Sequence, residues 1–165
     1  MSKVLATSNY IGKDVKIGKD TKIWHLVYIG DKTKIGNNVT IGTLTHIDSQ
    51  VLVGNDVDIQ GMVYIPPFSK IGNNVFIGPG SVFTNDPYPP SSRLSGITIE
   101  EEAIIGANSS VLGGVTIGHR SVVGMGSVVV SNVPANWVVA GNPAKKISDR
   151  EVYDRKRKNW EDSTS

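Results

Sequence analysis

An aliphatic residue returns every sixth position along most of this 165-residue chain. From Ile11 the series runs through Ile17, Ile23, Ile29, Ile35, Ile41, Ile47, Val53, Ile59, Ile65, Ile71 and Ile77 to Phe83. It resumes in a shifted frame at Ile99, Ile105, Val111, Ile117, Val123 and Val129. A period of six fits neither an amphipathic helix, with its period of about 3.6, nor an alternating strand. Four residues after each lead stands a small or β-branched residue, as in Val15, Thr21, Val27, Thr33, Val39, Thr45, Val51 and Val57, suited to a second inward position near a corner. The residue before it is often Asn, Asp or Gly, as at Asp14, Asp20, Asn38, Asp56, Asn74, Gly80, Asn108, Gly114 and Gly126. Those types tolerate the left-handed backbone that a sharp corner needs. Strands this short satisfy their backbone groups only by stacking parallel on the coil below, about 4.8 Å away. Three hexads close one coil, so the pattern predicts an all-β, three-sided parallel β-helix of about six coils.

The period fails twice. Residues 84–98, TNDPYPPSSRLSGIT, have the Pro, Ser, Asn and Gly content of a loop projecting from the coil. Near the end, Ser148-Asp149-Arg150-Glu151 reads as a capping box opening a short helix to about Trp160. The domain reading is therefore a β-helix over 1–147 carrying the loop 84–98, followed by a helix and tail over 148–165.

Composition narrows the chemistry. With no cysteine there is no disulfide framework, thiolate metal site or cysteine nucleophile. The N-terminal residues lack the apolar run of a signal peptide or membrane span, which predicts a soluble, cytoplasmic protein without a membrane partner. Net charge is only +2, and the run Arg155-Lys156-Arg157-Lys158 lies among acidic residues. That is the pattern of a solvated helix face rather than a nucleic-acid site.

Residues one coil apart share a face. The column through Ile17 carries Gly18, Gly36, Gly54 and Gly72 among polar neighbours and reads as a solvated face. The column through Ile23 carries Leu26, Leu44 and Met62 in one row, Tyr28, His46 and Tyr64 in another, and Trp24 and His25 at its base. An exposed apolar strip marks an interface, and a cyclic trimer suits a three-sided prism. His46 reads as an interface histidine stacked on aromatics, with a catalytic base or a contact to substrate as the alternatives. His25 reads as structural and His119 as a surface residue.

The segment 105–147 resembles the C-terminal half of bacterial hexapeptide-repeat acetyltransferases of the left-handed β-helix family, its closing GNPAKKI being the most specific part. The resemblance implies a left-handed coil, acetyl-CoA as co-substrate, no metal, and a homotrimer with the coenzyme in a groove between subunits. Carried over by position, the backbone at Ala107 and Met125 meets pantetheine, Val130 and Ser131 approach the nucleotide end, and Lys145 meets a phosphate as a point charge.

A narrower resemblance lies in VFIGPGSVFTND, a Pro-rich loop and IGANSSV. It looks like the N-acetyltransferases that act on nucleotide-linked 3-amino sugars in surface-polysaccharide pathways. Many hexapeptide acetyltransferases carry a histidine base in the loop, whereas here Asn85 stands where the amino-sugar group keeps an asparagine. A hydroxyl acceptor needs a base, but a neutral amine already has its lone pair. Asn85 would then orient the amine or a water, with a backbone amide meeting the oxyanion. Asp86 and Arg93 flank it as substrate contacts, the arginine toward a diphosphate or a carboxylate. Glu100-Glu101-Glu102 after the loop disfavour a uronic acid, leaving a neutral 3-amino sugar on dTDP or UDP.

Other readings are an acyltransferase for serine, a simple sugar or a xenobiotic, a scaffold, and a γ-type carbonic anhydrase with zinc on three histidines. His25, His46 and His119 lack the close pair the last one requires.

Overall fold

Each hexad becomes a two-residue strand whose first side chain points outward and whose second, the aliphatic lead, points into the prism. A computed structural model describes residues 8–163; residues 1–7, which carry part of the N-terminal reading, and 164–165 lie outside the described residues. The strands form three sheets. A first, seven-stranded sheet runs from Tyr10–Ile11 to Val128–Val129. A second, six-stranded, runs from Lys16–Ile17 to Thr116–Ile117, and a third, eight-stranded, from Lys22–Ile23 to the terminal strands Trp137–Gly141 and Ala144–Asp149. Stacked neighbours pair parallel and in register, as in Tyr28 with His46 and Leu52 with Lys70. The coil makes about seven turns rather than six. Tyr10–Ile11 already pairs with Tyr28–Ile29, and Val138 and Val139 stack on Val122 and Val123 to close another turn.

The core is one aliphatic column. Ile29, Ile41, Ile47, Ile59, Ile65 and Ile77 are fully buried, and Phe83 fills the level where the loop departs. The second inward position is buried too, at Val27, Val39, Val51 and Val57. Where threonine replaces valine there, its hydroxyl donates to a carbonyl one coil up: Thr21 to Gly36, Thr33 to Asp48 and Thr45 to Gln60, at 2.8–3.0 Å. The buried hydroxyl is thereby satisfied.

The corner residues have positive φ throughout, at Asp14, Asp20, Asn38, Asp56, Asn74, Gly80, Asn108, Gly114 and Gly126 as expected. Four bulky apolar residues do the same, Leu26, Leu44, Met62 and Phe68, with φ of 58, 63, 61 and 64°. That conformation costs a side-chain-bearing residue about 1–2 kcal/mol, so an apolar residue at such a corner calls for a compensating role.

The three corners stack into three edges with different chemistry. Between the second and third sheets, Asn37, Asn55 and Asn73 form a ladder. Each Oδ1 accepts the amide N–H of the residue one coil down, at Lys19, Asn37 and Asn55, at 2.8–2.9 Å. The column of Gly18, Gly36, Gly54 and Gly72 thus belongs to a corner rather than a face. Likewise Leu26, Leu44 and Met62 lie on the edge between the third and first sheets, while Tyr28, His46 and Tyr64 stand on the first sheet beside it. The expected apolar face is an edge plus half a face, because the chain turns between those rows.

At the C-terminus Trp137–Gly141 and Ala144–Asp149 pair antiparallel as a hairpin. The helix spans Arg150–Asp162, capped by Asp149 without a side-chain hydrogen bond. The expected capping box therefore does not form: Ser148 is held in the hairpin by its pairing with Val138, and the N-cap moves one residue on, to Asp149. Arg150, 5% exposed, fastens the helix to the coil. Its Nη1 donates to the Arg120 and Glu102 carbonyls at 2.8 and 3.1 Å, and its Nε to Asp154 at 2.8 Å. Among the described residues no helix is long and apolar enough to cross a membrane.

Candidate functional site

The loop leaves the first sheet after Val82–Phe83 and rejoins the second at Thr98–Ile99, so it projects from the edge between them. Its base is fastened twice. Thr84 Oγ1 accepts from the Gly113 amide at 2.9 Å, and the Ser95 amide donates to the Asn85 carbonyl at 2.7 Å. Gly113 is buried directly against Asn85: an added Cβ would stand 2.8 Å from the Asn85 carbonyl carbon and 2.9 Å from its Cα. Asn85 is half-buried, its backbone is clamped from both sides, and its side-chain amide has no partner among the described residues.

Asp86 is occupied within the loop. Its Oδ1 accepts from the Tyr88 amide at 2.9 Å and the Ser91 hydroxyl at 2.8 Å, and its Oδ2 from the Ser91 amide at 2.6 Å. Desolvation pushes its pKa up, but the bonds from Ser91 and then Tyr88 outweigh it and hold the carboxyl below the ordinary aspartate value. Asp86 thus shapes the loop. Arg93 is exposed and its guanidinium has no partner among the described residues.

The residues expected to meet the coenzyme fall on two edges. Ala107 and Met125 stack on the edge between the third and first sheets, where the Gly126 amide donates to the Ala107 carbonyl at 2.8 Å. Above Met62 this edge changes character, its side chains giving way to Gly78, Gly80, Gly106, Gly124 and Gly126. The row opens to solvent at its top: Gly126 is exposed, and an added Cβ there would meet nothing within 4 Å. Val130 and Ser131 lie instead on the loop edge, above Leu112 and Gly113. Ser131 and Lys145 line one cavity of about 210 Å³ at the top of the coil, together with Asn132, Trp137, Ala144 and Lys146. Lys146 covers the Trp137 ring at 4.8 Å and pairs with Asp149, which leaves Lys145 as the cation of this cavity without an ion-pair partner among the described residues.

His46 lies two coils below the loop. Its ring stacks on Tyr28 at 4.3 Å and meets Tyr64 edge-on at 5.3 Å, in a column that begins with Tyr10. Its Nε2 is 3.9 Å from Asp48 Oδ2. Burial, then the charge and hydrogen bond of Asp48, hold the Tyr64 pKa above its usual value. Asn85 and His46 are not brought together. No group of three or more His, Cys, Asp or Glu side chains among the described residues could hold a metal ion.

Sequence reading missed Thr84, Ser95 and Gly113, which fix Asn85. Only the Gly113-Gly114 pair, one coil above the base of the loop, could have signalled a close approach.

Two family models match the repeats: bacterial transferase hexapeptide (six repeats) over residues 14–49, and hexapeptide repeat of succinyl-transferase over 96–131. A curated 2,3,4,5-tetrahydropyridine-2,6-dicarboxylate N-acetyltransferase from Staphylococcus saprophyticus is 48% identical over 82 residues, 49% of this chain and 34% of that protein. The chain thus spans about a third of the length of the curated relative it matches. Among solved structures, a hexapeptide-repeat-containing acetyltransferase from Vibrio cholerae is 27% identical over 82% of this chain and 73% of its own, with a TM-score of 0.51. A variant of GDP-perosamine N-acetyltransferase from Caulobacter crescentus, in complex with CoA and GDP-perosamine, is 23% identical over 89% of this chain and 57% of its own, with a TM-score of 0.54.

Proposed function

We propose that this chain is an acetyl-CoA-dependent N-acetyltransferase whose acceptor is the amine of a nucleotide-linked sugar, used in surface-polysaccharide or glycan synthesis. The observation that carries this reading is Asn85: a half-buried amide, unpartnered among the described residues, on a backbone clamped at the base of the loop. A loop without a histidine suits an acceptor that arrives with its own lone pair. The neutral amine attacks the thioester carbonyl and forms the C–N bond. The tetrahedral oxyanion is met by a backbone amide, and its collapse breaks the C–S bond. The released thiolate takes the proton lost by the amine. Asn85 orients the amine through its side-chain carbonyl.

Pantetheine lies along the glycine-rich half of the edge bearing Ala107 and Met125, and the nucleotide of the coenzyme approaches Val130, Ser131 and Lys145. These groups sit on two edges of one prism, so a homotrimer that lays one chain's glycine edge along its neighbour's loop edge gathers them around a single ligand. The apolar half of that edge, Leu26, Leu44 and Met62, with the Tyr28–His46–Tyr64 row, supplies the contact between copies. The named acceptor of the Caulobacter crescentus protein, GDP-perosamine, supports an amino sugar on a nucleotide.

A thiol-release screen tests the reading with nucleotide-linked 3-amino and 4-amino sugars, free amino sugars, serine and the acceptor of the Staphylococcus protein. Turnover confined to nucleotide-linked amines is expected, and turnover on serine or the dicarboxylate alone overturns it. Asn85→Ala should lower turnover strongly while leaving acetyl-CoA binding nearly intact by calorimetry; unchanged turnover discards its role.

A further inference from the structure

Phe68 stands at a corner where its own edge elsewhere carries Asp14, Lys32, Gln50 and Gly114. It is half exposed and left-handed, with φ of 64°. Its inter-coil hydrogen bond, from its amide to the Ser49 carbonyl, is 3.4 Å, against 2.8–3.1 Å at Lys32, Asn38, Leu44, Gln50, Asp56 and Met62. A bulky side chain held in this conformation at a stretched corner points to a local function. Its place is one coil below Asn85, on the same edge. The returning arm of the loop closes directly over it, since an added Cβ at Gly96 would stand 2.5 Å from the Phe68 carbonyl carbon.

Two exposed cations belong to the segments that meet at this corner. Lys70, two residues on, is exposed at the start of the strand that pairs with Thr98–Ile99, and Arg93 rides on the returning arm. Neither has an ion-pair partner among the described residues. An exposed aromatic ring, with cations that lack an ion-pair partner on the strand after it and on the loop arm above it, matches a ligand with a flat ring and a phosphate chain.

We infer that Phe68 is the platform on which the nucleobase of the acceptor stacks, with Lys70 and Arg93 taking its diphosphate, so that the nucleotide is gripped below the loop while the amine reaches Asn85. The inference rests on the proposed acetyl transfer to a nucleotide-linked sugar. It adds a specificity determinant: the enzyme reads the nucleoside diphosphate through Phe68, apart from the chemistry at Asn85.

Phe68→Asn tests it without a folding penalty, because asparagine is the residue found at the left-handed corners Asn38, Asn74 and Asn108. Binding of dTDP, UDP and GDP to wild type and variant is measured by calorimetry, alongside thermal melts, the mass of the assembly and acetyl-transfer kinetics. The variant should melt no lower than wild type and keep its mass, while its Kd for the preferred diphosphate and its KM for the nucleotide sugar rise about tenfold or more. Its kcat at saturation should stay close to wild type. Lys70→Gln should weaken diphosphate binding less, and increasingly less as salt is raised. Equal diphosphate affinities for wild type and Phe68→Asn overturn the inference and leave the acetyl-transfer reading standing. A fall in assembly mass overturns it too, by making Phe68 a contact between copies. No diphosphate binding to wild type overturns it outright, whereas no turnover on any nucleotide-linked amine overturns the acetyl-transfer reading itself.

Discussion

Gly113→Ala probes whether the position of Asn85 matters. Gly113 is not left-handed, so alanine brings no backbone strain and the added methyl is the whole perturbation. That methyl would stand 2.8 Å from the Asn85 carbonyl carbon, 2.9 Å from its Cα and 3.1 Å from the Asp86 amide, where ordinary contact begins at 3.4 Å. Asn85 must therefore move outward by about 0.6 Å, the difference between 3.4 and 2.8 Å. The shift strains the Ser95–Asn85 and Gly113–Thr84 hydrogen bonds that fasten the loop. Overpacking costs about 1–3 kcal/mol, and a loop free to swing outward keeps the cost near the lower end. For a chain of this length that lowers Tm by about 2–8 °C. A displacement of this size at a positioning group should lower turnover about 10- to 100-fold. Acetyl-CoA affinity should hold, because the methyl's nearest contacts are at Asn85 and Asp86, whereas Ser131 lies one coil above Gly113 and Ala107 and Met125 are on another edge. The assays are steady-state thiol release, a thermal melt and coenzyme calorimetry. A lowered Tm with wild-type turnover would refute the claim that Asn85 acts through its position. An unchanged melt would refute the clash.

Four further predictions rest on burial and charge. Ile59→Ala empties a fully buried site at mid-column and should cost about 2–5 kcal/mol in denaturant unfolding; a loss below 1 kcal/mol would show that the column repacks. Arg150→Ala strips the Glu102 and Arg120 carbonyls of the Arg150 donor and leaves Asp154 to Arg120 and Arg157, and should cost about 3 kcal/mol and release the helix to proteolysis. Desolvation works to raise the Asp154 pKa, but Arg150, then Arg157 and Arg120, hold it below the ordinary aspartate value. This stabilisation is present above the unfolded-state pKa of about 3.9. It is lost as pH falls through the lower folded value, so helix release should begin below about pH 4; release unchanged in Asp154→Asn would refute the linkage. Lys145→Gln should weaken acetyl-CoA binding several-fold at low ionic strength, with the difference shrinking as salt is added; a salt-independent loss would point to packing instead.

The prism was legible in the sequence because its period is local. Each hexad carries its own inward residue and corner, and the coil only repeats what Ile41 or Asn38 already states. The loop was legible as the place where that period fails, and Asn85 as a polar residue at its mouth. The left-handed turns at Leu26, Leu44, Met62 and Phe68 were not, because propensity assigns such corners to Asn, Asp and Gly, and the stacking of the coil overrides it.

By itself the sequence determined the period, the core column, the two interruptions and the residue types placed at them. Only the tertiary structure decided that the Leu26 and Tyr28 rows straddle a corner, that Ala107 and Ser131 lie on different edges, and that Gly113 seats Asn85. It also decided that the GNPAKKI segment folds back as a hairpin, which takes Ser148 from the helix cap. The physical reason is separation along the chain. Gly113 meets Asn85, and Arg150 meets Glu102, across intervals that no local pattern encodes, and the contacts exist only once three sheets have closed around one core.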